Sequence, residues 1–71
     1  MFDWEMTREA SGKVIARLEG TEVTVFRAAD GAPGAWRWEV RFADGQVQSG
    51  HAEGCDQALE KAKRVAERFL T

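Results

Sequence analysis

His51 and Cys55 are the only histidine and the only cysteine in the chain, and they stand four residues apart. A thiol beside an imidazole can form a thiolate nucleophile, and a helix N-terminus lowers a thiol pKa further. Nucleophilic catalysis also needs a cleft and a third group that orients the base. A chain of 71 residues has little room for the cleft, and no orienting group stands nearby in the sequence. The pair therefore reads as structural. His51 stacks on Trp38 at a sheet edge, and Cys55 caps a helix or fills a small buried space. The expectation is a protein that is not an enzyme.

Metal and phosphate chemistry fare no better. Structural zinc takes four ligands, and one histidine with one cysteine supplies two. The carboxylates lack calcium-loop spacing. Asp30-Gly31-Ala32-Pro33-Gly34 lacks the lysine and following helix of a phosphate loop. No metal and no cofactor are expected.

Two sets of cations remain as candidate binding residues. Arg17, Arg37 and Arg41 fall, with Lys13 and Phe26, on one predicted sheet face, where an aromatic ring among arginines can stack bases. Lys61, Arg64 and Arg68 recur at i, i+3 and i+7 along a predicted helix. Acids dilute both sets: Glu19, Glu22 and Glu39 the first, Glu60 and Glu67 the second. Twelve acidic and ten basic residues give a net charge of −2, with no long run of either sign. That excludes a basic nucleic-acid arm and an acidic tail. A protein partner ranks first and nucleic acid second.

The elements that position these residues follow from periodicity. Trp36, Trp38, Val40 and Phe42 alternate with Arg37, Glu39 and Arg41, the pattern of a half-buried strand. Asp44-Gly45 suits a two-residue type I′ turn. That turn pairs Phe42 with Val47, Val40 with Ser49 and Trp38 with His51, all on the inner face, and sends Gln48 and Gly50 outward. From Asp56 to Leu70, Leu59, Ala62, Ala66 and Phe69 form a helical stripe, broadened by Ala58, Val65 and Leu70. Gly54 or Cys55 is its N-cap. Upstream, Lys13 to Leu18 and Glu22 to Arg27 form a second hairpin, turning at Glu19-Gly20 or Gly20-Thr21. Val14, Ala16, Leu18, Val23 and Val25 point inward, leaving Ile15 and Phe26 outside. Phe2, Trp4 and Met6 alternate as a strand, while Phe2, Met6 and Ala10 also fit a short helix. In either form Phe2 and Trp4 are available to cover Ile15 and Phe26.

The prediction is one α+β domain over residues 1–71. It has a four-stranded, or five-stranded, antiparallel meander with a C-terminal helix on one face. Outer-face Ile15, Arg17, Phe26, Arg37, Glu39 and Arg41 are the expected protein-binding residues. Lys61, Arg64 and Arg68, with Arg37 and Arg41, are the nucleic-acid alternative. An exposed edge strand makes a second copy of the chain a candidate partner. No apolar stretch of signal-peptide or transmembrane length is present, so a cytoplasmic protein with no membrane partner is expected.

Trp36-x-Trp38-x-Val40, then Asp44-Gly45, Ser49-Gly50-x-Ala52, Ala58 and Ala62 form a pattern over residues 35–70. It resembles the ββα modules of small uncharacterised bacterial and phage proteins. Small acidic proteins of this build are similar to phage and mobile-element proteins, among them anti-CRISPR and other host-takeover inhibitors. The resemblance implies binding to a host protein and blocking of one of its surfaces, and it carries over no catalytic residue.

Overall fold

A computed structural model of the chain describes residues 3–27 and 36–70, with Leu70 described by its backbone alone. The described residues form β1 (Glu5–Arg8), β2 (Val14–Leu18), β3 (Thr21–Arg27), β4 (Trp36–Arg41), β5 (Val47–Ala52) and α1 (Cys55–Leu70). The strands pair antiparallel in chain order, so the sheet is a five-stranded meander. The N-terminal segment is a strand from Glu5 and not a helix. The turn-rich segment 28–34, Phe2 and the side chain of Leu70 lie outside the described residues.

Alternation builds the inner face. Val14, Ala16, Val23, Val25, Trp38, Val40 and Phe42 are buried there. Opposite them Ala58, Ala62 and Ala66, at i, i+4 and i+8, are completely buried. A stripe of methyl groups lets α1 lie close to the valines, and it packs chiefly on β3, β4 and β5. The stripe is thus centred one step from the expected line through Leu59 and Phe69. Leu59 is half-buried, and Phe69 is 52% exposed. The Phe69 ring still packs on Phe42, with centroids 4.3 Å apart. Gly54 is the N-cap, its carbonyl accepting from the Ala58 amide at 2.9 Å. Asp56 in the first turn and Arg68 in the last suit the helix dipole.

The two hairpins turn differently. Leu18 pairs with Thr21, so Glu19-Gly20 is a two-residue loop, with φ of 49° and 82°. Positive φ at both residues is the type I′ signature. At the other hairpin only Gly45 has positive φ, 95°. Phe42 N–H donates to Gln46 O at 2.8 Å and Gly45 N–H to Phe42 O at 3.0 Å, while Asp44 Oδ1 accepts from Gln46 N–H at 2.9 Å. This is a three-residue loop, Ala43-Asp44-Gly45, closing in a glycine bulge.

That extra residue corrects the expected register. Trp38 pairs with Gly50, Val40 with Gln48 and Arg41 with Val47. A one-residue slip moves every side chain of β5 to the other face. Val47, Ser49 and His51 therefore join the outer face, and Gln48, Gly50 and Ala52 the inner. The cause is steric. The Trp38 indole lies on Gly50, where an added Cβ would sit 2.5 Å from Cζ2 and 2.9 Å from Nε1. Burying an indole removes roughly 200 Å² from water, worth about 5 kcal/mol at 25 cal/mol/Å². Leaving Val47 half-exposed forfeits less, about 1 kcal/mol.

Of the two residues available to cover Ile15 and Phe26, Trp4 goes elsewhere. It packs half-buried against the inner core, and its Nε1–H donates to Glu67 Oε2 of α1 at 2.8 Å. Its parity with Met6 and Ala16 puts it on the helix side. A bond to a charged acceptor contributes about 1.5–3 kcal/mol, more than loose cover of the outer face offers.

Gly50→Ala is expected to lower unfolding free energy by about 1–3 kcal/mol through overpacking against Trp38. Ser49→Ala, one residue away on the exposed outer face, should stay within about 0.5 kcal/mol. Urea denaturation of the two variants checks this.

Candidate interaction surface

The outer face is assembled row by row across the strands. One row runs Glu5, Arg17, Glu22, Arg41 and Val47; a second runs Thr7, Ile15, Thr24, Glu39 and Ser49. A third carries Phe26, Arg37 and His51. All six expected protein-binding residues, Ile15, Arg17, Phe26, Arg37, Glu39 and Arg41, therefore share one continuous face. The register adds Val47, Ser49 and His51, which the expected pairing had hidden. The isolated Gly50 was the sequence signal for them, since a glycine inside a strand marks close approach by another group.

Charge on this face alternates. Arg17 Nε–H donates to Glu22 Oε2 at 3.0 Å, and Arg41 reaches Glu39 at 3.8 Å along its own strand. Such exposed pairs contribute about 0–1 kcal/mol each and leave both ions available to a partner. Ile15, Thr24 and Phe26 are half-buried between them. Lys13, Glu22, Thr24, Phe26, Glu39 and Arg41 bound a shallow depression of about 440 Å³.

Lys61, Arg64 and Arg68 sit elsewhere, on the flank of α1 that overhangs β5. With Trp38 and Val65 they line an apolar groove, which continues past Gln48 to Phe69. Arg37 and Arg41 belong to the opposite side of the sheet, so the five residues of the nucleic-acid alternative do not form one surface. Glu67, expected to dilute the helix cations, is turned away to Trp4. Glu60 reaches Arg64 at 3.5 Å, with both side chains largely exposed.

His51 and Cys55 are held apart. His51 is exposed on the outer face of β5 and pairs with Arg37 rather than Trp38. Cys55 is half-buried in the first turn of α1, against the inner core. Among the described residues no group of three or more His, Cys, Asp or Glu side chains is placed to hold a metal ion. Among them, too, no helix is long and apolar enough to cross a membrane.

Because the sheet separates the two side chains, His51→Ala should leave the alkylation rate of Cys55 by iodoacetamide unchanged. A rate that falls severalfold would mean that the imidazole activates the thiol. No family model matches the chain, and neither a curated protein nor a solved structure matches it.

Proposed function

We propose that the protein is a non-enzymatic interaction module that binds a protein partner on the outer face of its sheet. One observation carries this reading. The face spans five strands without a covering layer among the described residues, and it sets half-buried Ile15 and Phe26 among alternating arginines and glutamates. Exposure alone is ordinary for an antiparallel sheet. An apolar centre inside a charged rim is the anatomy of a protein interface. Interleaved acids oppose a polyanion, which favours a surface of one sign, so the face suits protein better than nucleic acid. The resemblance of the β4–β5–α1 pattern to phage-type modules supports a partner in the host and an inhibitory role in the cytoplasm.

A second copy of the chain is the other reading, and the charge row favours it. Glu5, Arg17, Glu22 and Arg41 alternate across β1 to β4. A twofold axis parallel to the strands, between β2 and β3, sets Glu5 against Arg41 and Arg17 against Glu22 of the other copy. The face is thus complementary to itself, as a symmetric dimer requires.

Arg17→Glu combined with Arg41→Glu tests both readings, since both side chains are exposed and the fold should persist. Capture from host extract should enrich a protein with the wild type and lose it by at least about tenfold with the double variant. Lys63→Gln on α1 should retain it. Sedimentation reads the dimer, which the variant should dissociate. Equal capture and an unchanged mass for the double variant would contradict the assignment of this face.

A further inference from the structure

We infer that β5 and the cationic flank of α1 together form a docking site for an extended acidic segment of a partner protein, which adds to the sheet as a sixth strand. The site is separate from the outer sheet face and stands independently of the function proposed for that face.

The two edges of the sheet differ. β1 has four residues and carries Glu5 and Arg8 at its ends, which discourage a neighbouring strand. β5 has six residues, Val47-Gln48-Ser49-Gly50-His51-Ala52, with no lysine, arginine, aspartate, glutamate or proline. An edge without such guards is a template for pairing. Hydrogen-bonded and free pairs alternate along an antiparallel ladder. Counting from the Phe42–Gln46 bond, Gln48, Gly50 and Ala52 point their backbone groups toward β4. The N–H and C=O groups of Val47, Ser49 and His51 then point outward.

The helix supplies the charge. At 3.6 residues per turn, Lys61, Arg64, Val65 and Arg68 share one flank, and they line the groove with Trp38 beside β5. Glu67 lies on the other flank, held by Trp4. A strand laid against β5 would turn alternate side chains toward this groove, and carboxylates there would meet Lys61 and Arg64.

Charge and backbone chemistry select the occupant. Antiparallel pairing of β5 with β5 of a second copy would bring both cationic flanks together, setting Lys61 and Arg64 of one copy near those of the other. A nucleic acid would satisfy the cations, but its phosphates only accept hydrogen bonds. The outward edge of β5 alternates donors and acceptors, which a polypeptide backbone alone matches.

The probe is a fluorescein-labelled, capped peptide, Glu-Thr-Glu-Val-Glu-Thr-Glu, titrated into the full chain and followed by anisotropy and amide hydrogen exchange. Binding should slow exchange at the Val47, Ser49 and His51 amides. Lys61→Glu with Arg64→Glu should weaken it by at least about tenfold. The same peptide N-methylated at alternate amides should lose affinity to a similar degree, and a lysine-for-glutamate peptide should not bind. The inference is overturned if the acidic peptide fails to bind, or if the double variant binds it equally. It is also overturned if the three amides stay unprotected, or if oligothymidylate of equal charge binds as tightly as the peptide.

Discussion

The Trp38 indole lying on the bare Cα of Gly50 is the contact on which the rest of the structure depends. A Cβ at position 50 would press into the ring and force it or the strand to shift. Once Gly50 faces inward, the parity of β5 is fixed from Val47 to Ala52. Ala52 enters the core beside Trp38, and Val47, Ser49 and His51 go to the outer face. The contact has a cost, since Trp38 Nε1 is buried without a hydrogen-bond partner among the described residues. That penalty is about 1–3 kcal/mol, less than the roughly 5 kcal/mol from burying the indole.

The same economy of space runs through the core. A small domain buries a modest share of its surface, so its layers must lie close. Valines on the sheet and alanines on the helix allow this, and Trp38 and Phe42 fill the remaining width. Trp4 closes the far side by bonding Glu67. Helical periodicity sorts the charge of α1, placing Glu67 on the flank that Trp4 bonds while Lys61, Arg64 and Arg68 line the groove on the other.

Most of the architecture was legible because periodicity carries it. Alternation placed Val14, Val23, Val25 and Val40 inside and Ile15, Phe26, Arg37 and Arg41 outside, as found. The helix pattern placed α1 within a residue at its start. The β4–β5 register was not legible, because Asp44-Gly45 serves both a two-residue loop and a three-residue loop with a glycine bulge. Local chemistry leaves these close in energy, and the distant Trp38–Gly50 contact decides between them. The partner of Trp4 was hidden for a related reason, since it lies 63 residues away in the chain. Of the surfaces, the residues of the outer face could be read by parity alone. The groove beside β5 could not, because it needs the correct face of β5 and the withdrawal of Glu67.

Register is therefore the point at which the structure is most directly tested. Through-space proton contacts of the Trp38 indole, measured by NMR on the wild-type chain, report it without any substitution. A strong contact to the Gly50 Hα proton that takes the Cβ direction is predicted, with that proton shifted upfield by the ring. Contacts from the indole to the His51 side chain, with none to Gly50, would contradict the three-residue loop and both surfaces built on it.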